Sequence, residues 1–161
     1  MTGKREGLLL RRFRESDLDE VHELARTTIE TSYAAVYPPA VIDFFHNFHR
    51  RETVLSDAAG GQTVVAFSAD ALVATGTRAG EDIRRVFVLP DYQRRGIGRL
   101  MMAELEAKAI ADSVERIVLS ASLPALEFYL RLGYEVVSEV DYEVVPGQHL
   151  EYYEMAKELR R

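Results

Sequence analysis

Short apolar runs alternate along the chain with longer segments whose apolar residues recur at helical spacing. The first run, residues 8–12, is bounded by glycine and by charge and predicts a strand. Ser16 and the acidic residues after it are typical of a helix N-cap with acid in the first turn. We therefore predict a helix to about Thr31, followed by a second, aromatic-rich helix over residues 40–51 that covers a cleft.

The middle of the chain carries β-prone runs joined by short connections, at residues 62–68, 71–77 and 83–89. Short connections imply an antiparallel meander, because parallel neighbours need a long crossover. Apolar residues then recur at helical spacing over residues 98–109, which predicts a helix. The strand expected at residues 116–120 can lie parallel to the run at 83–89, so the sheet is mixed.

A helix and a hairpin are predicted at the end of the chain. The helix covers residues 122–132, and Ser122 suits its N-cap. Two β-prone runs, residues 134–140 and 150–157, flank a proline–glycine pair and predict the hairpin. Its edge strand is compatible with a homodimer, although a charged edge also suits a monomer.

The composition is that of one soluble globular domain over residues 1–161, with 47% hydrophobic and 29% charged residues. The absence of cysteine excludes a disulfide framework, a thiolate nucleophile and a Cys-based metal site. No apolar run resembles a signal peptide or a membrane span, so we expect a cytoplasmic protein with no membrane partner. The formal net charge of −6 opposes nucleic acid as a partner.

The segment 93–98 lies between an apolar strand and an amphipathic helix, where a phosphate is readily bound. The first N–H groups of a helix lack intrahelical partners, and the helix dipole adds partial positive charge there. Gly96 and Gly98 would let a phosphate approach the backbone. Three arginines would add charge: Arg94, Arg95 and Arg99. These residues alone are equally compatible with a glycine turn beside solvated arginines.

Two motifs resemble the GNAT superfamily of N-acetyltransferases. The first is residues 85–98, RVFVLPDYQRRGIG. In that family a hydrophobic strand, a Pro-containing turn and Q/R-x-x-G-x-G/A grip the coenzyme A pyrophosphate. The second is residues 125–134, ALEFYLRLGY, which looks like the family's A-x-x-F-Y-x-x-x-G-F/Y helix. Two motifs in this order are more specific than either alone.

The resemblance covers nearly the whole chain and implies an α+β, GNAT-like fold. In this fold a central mixed, mostly antiparallel sheet of six to seven strands is flanked by about four helices. The strands predicted at residues 83–89 and 116–120 would splay apart to admit the cofactor. The backbone around Phe87 and Val88 would then pair with the pantetheine arm like an added strand.

The resemblance implies acetyl-CoA-dependent N-acetyl transfer, with acetyl-CoA as cosubstrate and a small-molecule or peptide amine as acceptor. Tyr129 matches the family tyrosine assigned as the acid that protonates the departing thiolate, and its alternative role is packing on the sheet. The implied cofactor-binding residues are Val86, Phe87, Val88, Gln93, Arg94, Arg95, Gly96, Ile97, Gly98, Arg99, Ser122, Ala125 and Phe128. No metal is expected, although the spacing of His46 and His49 could suit one.

Two positions depart from the family pattern. Ser122 stands where members often carry asparagine, which we expect to weaken the cofactor contact without abolishing it. Arg84 stands where many members carry a glutamate base, and an amine needs a base because an ammonium group has no lone pair for attack. Possible substitutes are Glu81, Asp82, His149 and Glu151, but each is more often an ordinary surface residue, so the sequence assigns none of them as the base.

Other functions stay open at this stage. The chain can be a transferase for another acyl-CoA, or a degenerate module that binds coenzyme A without turnover. A nucleic-acid module is opposed by the acidity and by the lack of aromatic residues among the arginines. The acceptor would be gripped by segments 31–51 and 141–153, whose possible aromatic walls are Tyr33, Tyr37, Phe45, Tyr142 and Tyr152.

Overall fold

The computed structural model describes residues 3–5 and 7–159, which form one sheet with helices on both faces. The strands within this part of the chain are Gly3–Arg5 (β1), Leu8–Arg12 (β2), Gln62–Ser68 (β3), Ala71–Ala79 (β4), Asp82–Val88 (β5), Arg116–Ser122 (β6), Glu135–Val145 (β7) and Gln148–Glu158 (β8). The α-helices are Leu18–Thr28 (α1), Pro39–Phe48 (α2), Arg51–Gly60 (α3), Ile97–Ala111 (α4) and Leu126–Arg131 (α5).

The sheet order is β1-β2-β3-β4-β5-β6-β8-β7, and only the β5–β6 pairing is parallel among the described strands. The predicted mixed, mostly antiparallel α+β fold is therefore confirmed. The strand count exceeds the predicted one because the short β1 pairs with β2. The extra helix is α3, where Val54 is the one buried residue and no apolar stripe marks the helix.

The two faces of the sheet carry separate apolar cores. On one face, α4 inserts the fully buried Met101, Met102 and Leu105 against the central strands. On the other face, α1 packs Val21 and Leu24 against the sheet. This second face also carries α2 and α3, so the side chains on the two sides of β5 meet different helices. No helix of the described residues has the length and apolarity needed to cross a membrane.

The entry to α1 differs from the prediction that Ser16 caps it. A 3₁₀ turn, Glu15–Asp17, precedes the helix, and the Asp17 carboxylate accepts the Arg14 N–H at 2.8 Å. Both Asp17 oxygens also accept hydrogen bonds from the Arg11 guanidinium at 2.8 Å. Burial alone would raise the pKa of Asp17, but these hydrogen bonds outweigh it and lower the pKa. Asp17, and not Ser16, therefore stabilises this turn, because its carboxylate can accept hydrogen bonds from the backbone and from Arg11 at the same time.

The C-terminal end of α1 leads directly into the site. The helix was predicted to run to about Thr31, but it ends at Thr28 and continues as a π-helical turn, Ile29–Tyr33. Such turns widen the helix and redirect side chains, and they are frequent at functional sites. Here the turn places Tyr33 at the cavity described below.

The parallel strands β5 and β6 separate as the resemblance implied. Among the described residues they pair only at Asp82 and Val118. Further along, a cavity of about 570 Å³ opens between them, lined by Phe87 of β5 and Ser122 of β6. Backbone polar groups of both strands are thereby left available to a ligand.

A bulge interrupts the ladder between β4 and β5. Thr77 pairs with Arg84 and Thr75 pairs with Phe87, so two residues of β5 lie opposite Gly76 alone. Arg85 takes a left-handed φ of 55° at this point. Since side chains of a regular strand alternate between faces, the bulge changes which face each residue meets. Arg84 and Arg85, although adjacent, consequently both reach α3.

Candidate active site

The cavity between β5 and β6 is walled largely by aromatic side chains. Four of the five aromatic residues expected as acceptor walls line it: Tyr33, Phe45, Tyr142 and Tyr152. Aromatic contacts connect α2 with the π-helical turn and with β7. Between ring centroids, Phe45 lies 4.7 Å from Tyr33 of the turn, and Phe44 lies 6.4 Å from Tyr142 of β7. A cavity with aromatic walls and a limited set of polar side chains is typical of a small-molecule site.

The fifth aromatic residue, Tyr37, holds the cavity together from behind. Its hydroxyl donates to the Glu151 carbonyl at 2.8 Å and accepts from the Leu123 N–H at 2.9 Å. Burial raises the pKa of Tyr37 to about 12, so the hydroxyl keeps its proton at neutral pH. Tyr37 therefore connects the segment before α2 to β8 and to the turn before α5.

The predicted phosphate-binding segment ends at the N-terminus of α4. Gly96 is the N-cap residue with a left-handed φ of 82°, and Arg94 is also left-handed at 63°. The first turn of α4 contains no acidic side chain, so its free N–H groups keep their partial positive charge. Arg94 and Arg99 are exposed and have no partner within residues 7–159, whereas Arg95 lies over the Tyr92 ring. These features fit a phosphate group.

Gln93 and Gly98 each contact another predicted cofactor residue, Val88 and Phe128 respectively, and Phe128 packs against the core. Gln93 Nε2 donates to the Val88 carbonyl at 3.0 Å. The Leu89 N–H bonds to Val73 on the β4 side, so the preceding carbonyl points into the splay. A Cβ added at Gly98 would lie 3.0 Å from ring carbons of Phe128. Gly98 thus lets α4 pack against α5, while Gln93 occupies one backbone group of the splay.

The remaining predicted residues divide between the cavity and the core. Those that line the cavity are Val86, Phe87, Ser122 and Ala125. Ile97 is buried in the core with α4, and Val88 packs against that same core. Ser122 makes no capping hydrogen bond, and its buried hydroxyl has no partner of ordinary geometry in the described chain. Burial raises the pKa of the nearby Tyr33, and the Ser122 hydroxyl acts in the opposite direction.

Tyr129 reaches the cavity from α5 and is only 6% exposed. Burial raises its pKa well above the usual range, and the nearby Tyr33 adds to the effect. At neutral pH the hydroxyl is therefore protonated and can donate a hydrogen bond into the cavity. The structure thus brings Tyr129 together with the cavity-lining part of the predicted cofactor set.

Of the four candidate bases, only Asp82 lines the cavity. Its carboxylate accepts the Arg84 Nε–H at 2.6 Å. His149 lies at the exposed hairpin, where a hydrogen bond to Asp141 and the charge of nearby carboxylates raise its pKa. Glu151 lines a separate, smaller pocket of about 170 Å³, and Glu81 is exposed. Asp82 is therefore the carboxylate positioned to serve a cavity ligand.

A buried polar cluster beside the cavity was not predicted. Arg85 donates from Nη1 to Asp57 at 2.9 Å and from Nε to His49 Nδ1 at 3.0 Å. The Asp57 carboxylate also accepts a hydrogen bond from Arg84 Nη1 at 3.3 Å. His46, by contrast, lies 3.8 Å from Glu30, so the two histidines have different partners. Consecutive arginines in an apolar strand are the one sequence signal of this cluster.

A second unpredicted pair lies on the facing strands. Ser120 lines the cavity from β6 and donates to Glu154 of β8 at 2.7 Å. The two residues are direct cross-strand partners on the face that carries α1 and α2. No group of three or more His, Cys, Asp or Glu side chains suited to a metal ion occurs among the described residues.

Comparison with known proteins finds a relative that is similar to part of the chain. An uncharacterised N-acetyltransferase of Bacillus subtilis (strain 168), YjcF, is 30% identical over 69 residues, which are 43% of this chain and 49% of that protein. The chain thus matches about half the length of this relative.

Solved structures share the fold over nearly the whole chain. A GCN5-related N-acetyltransferase from Rhodopseudomonas palustris superposes with a TM-score of 0.84 at 22% identity, covering 93% of this chain and 94% of that one. PaiA N-acetyltransferase from Thermoplasma acidophilum, solved with coenzyme A, gives 0.77 at 19% identity over 94% and 99% of the two chains. The putative acetyltransferase yncA from Salmonella typhimurium, solved with acetyl-CoA, gives 0.68 at 16% identity over 96% and 95%.

The family comparison covers most of the chain. The acetyltransferase (GNAT) domain family matches residues 28–159, a range that includes the π-helical turn, the cavity and the C-terminal hairpin. With this match and the shared fold, the chain belongs to the GNAT acetyltransferase family.

Proposed function

We propose that the protein transfers an acetyl group from acetyl-CoA to an amine. The observation that carries the proposal is the cavity between β5 and β6, which has Tyr129 on its wall. The free N-terminus of α4 lies against the same α5 helix, since Gly98 packs on Phe128, the residue before Tyr129. The PaiA and yncA structures, solved with coenzyme A and acetyl-CoA, support the same cosubstrate here.

In this proposal the main chain supplies most of the cofactor contacts. The pyrophosphate lies at the first N–H groups of α4, with Arg94 and Arg99 contributing charge from the surface. The pantetheine arm lies along β5 and pairs with the free backbone groups at Val86 and with the Val88 N–H. The Val88 carbonyl is not needed for that contact, because Gln93 already satisfies it.

The chemical step is direct attack of the amine on the thioester. The amine nitrogen forms a C–N bond to the carbonyl carbon, the C–S bond breaks, and the thiolate leaves as the amide forms. Backbone N–H groups of β5 polarise the carbonyl oxygen. Asp82, directly or through water, takes the proton that the ammonium group must lose before attack, and the second amine proton ends on the thiol.

Tyr129 acts in this scheme mainly as a hydrogen-bond donor to the departing sulfur. An ordinary thiol has a pKa of about 8.5, and burial raises the pKa of Tyr129 far above that of the sulfur. Full proton transfer from this phenol to the thiolate is then uphill. A hydrogen bond that strengthens as charge develops on sulfur still lowers the barrier.

The test combines calorimetric titration with acetyl-CoA and thiol release against a panel of amines. The carboxylate introduced by Gly96→Glu should abolish binding, and Gly96→Ala controls for the strain of a side chain at this left-handed position. Tyr129→Phe should retain binding but reduce amine-dependent thiol release. Binding without release from any amine would instead indicate a degenerate module, and faster release from propionyl-CoA would indicate another acyl donor. Absence of binding would overturn the proposal.

A further inference from the structure

The charged side chains beside the cavity do not share the net negative charge of the chain as a whole. The chain has a net charge of −6, yet the charged side chains that line the cavity are Asp82, Arg84 and Arg85. Asp57 lies behind them and accepts hydrogen bonds from both arginines. The two positive and two negative charges balance, and of the four side chains only Asp57 does not line the cavity.

One nitrogen of the Arg85 guanidinium, Nη2, has no hydrogen-bond partner among the described residues. Its side chain is 1% exposed, its Nη1 is bound to Asp57, and its Nε is bound to His49. Its buried Nη2 has no hydrogen-bond partner in the part of the chain that the structure describes. A buried guanidinium donor without a partner is costly, which indicates that a ligand atom completes it.

His49 provides a second donor beside the first. Because its Nδ1 accepts the Arg85 Nε–H, the neutral ring carries its own hydrogen on Nε2. Burial lowers the pKa of His49 to about 3, with Arg85 contributing, so the ring is neutral at physiological pH. Within residues 7–159, Nε2 has no hydrogen-bonding partner, and the ring lies against Phe48 and Phe87. The ring therefore offers a hydrogen-bond donor but cannot act as a base.

We propose that the acceptor is an amino carboxylate with an apolar side group, such as an apolar α-amino acid. This inference rests on the proposed function and names its substrate class. The carboxylate lies against Arg85 Nη2 and His49 Nε2, the side group lies among the phenylalanines of α2, and the amine faces Tyr129. A zwitterion has no net charge, so it can enter the balanced cluster without leaving an unpaired charge.

The experiment compares each amino acid with its amide, which has the same shape but lacks the negative charge. We would measure kcat/KM by thiol release for the pairs formed by L-phenylalanine and L-leucine with their amides. More of each amide is unprotonated at neutral pH, so a preference for the acid must come from recognition of its charge. We expect the acid to be favoured by about 10- to 100-fold, the factor for a hydrogen bond to a charged group.

Two substitutions test the assigned donors. Arg85→Gln and His49→Phe should each remove most of the preference, because KM should rise much more for the acid than for the amide. Arg116→Gln is the matched control, because Arg116 is a half-exposed β6 arginine outside the cavity. Coenzyme A affinity, measured by calorimetry in every variant, identifies any substitution that disrupts the fold. The wild-type comparison of acid with amide stands even where a variant does not fold.

Several results would overturn the inference. If the wild type has equal kcat/KM for acid and amide, or prefers the amide, then the cavity does not recognise a carboxylate on the acceptor. If Arg85→Gln lowers kcat/KM equally for the acid and the amide, the role of Arg85 is structural and not recognition of the carboxylate. If no amine is acetylated, the proposed function fails separately. Binding of N-acetyl-L-phenylalanine and of its amide to the coenzyme A complex then decides, since only tighter binding of the acid sustains the inference.

Discussion

Tyr37→Phe isolates the two hydrogen bonds that hold the cavity wall. The substitution removes one oxygen from a side chain that is 6% exposed and leaves the ring in place. The Leu123 N–H loses its acceptor and the Glu151 carbonyl loses its donor. At about 1 kcal/mol for each net hydrogen bond, the free energy of unfolding should fall by about 2 kcal/mol.

Equilibrium unfolding in urea measures this change. With an m-value of about 2 kcal/mol/M, the midpoint should fall by about 1 M at unchanged slope. Tyr142→Phe is the control, since that tyrosine is 53% exposed and makes no hydrogen bond through its hydroxyl within the described chain. A Tyr37→Phe midpoint that coincides with that of Tyr142→Phe would refute the assignment of Tyr37 as the connection from the segment before α2 to β8 and to the turn before α5.

Three further changes have defined expectations. Gly76→Ala should lower the free energy of unfolding by about 1–3 kcal/mol, measured in urea, because the new Cβ would lie 2.8 Å from Leu105 Cδ1 in a filled core; unchanged stability would show that the core yields. Stability should fall as pH rises from about 10 to about 12, since the unfolded chain ionises Tyr37 near 10 while burial raises the folded pKa to about 12; Tyr37→Phe should weaken this dependence, and an equal slope would contradict it. Asp82→Asn should lower kcat of amine acetylation at neutral pH by about 100-fold with acetyl-CoA affinity unchanged, and a smaller loss that matches Glu81→Gln would remove Asp82 as the base.

The elements with local signals were predictable from sequence. Residues 8–12 and 62–68 form strands with the predicted bounds, because their apolar runs end in turn residues or charge. The helix predicted over residues 98–109 lies within α4, where the buried side chains recur on one stripe. The helix α3 was missed because little of it is buried, so its sequence carries no helical period.

The candidate site divides in the same way. The phosphate segment and the Tyr129 helix are contiguous in sequence, so a motif can reveal them. The cluster of His49, Asp57 and Arg85 joins residues that are 36 and 28 positions apart. It also depends on the β5 bulge, because strict alternation would direct Arg84 and Arg85 to opposite faces. No periodicity in the sequence signals that extra residue.

This division explains why the fold implies a cofactor more readily than an acceptor. In the proposed complex, the N–H groups of α4 and β5 hold acetyl-CoA, and main-chain groups survive most substitutions. The acceptor would instead meet side chains from α2, β5, β6 and the final hairpin, and exchanging one of them changes the chemistry of the cavity. Arg85 illustrates the consequence: its buried Nη2 has no partner among the described residues, and in the proposed complex it sets the charge that the cavity accepts. In this proposal, acceptor specificity depends on a few side chains whose positions are set by the bulge.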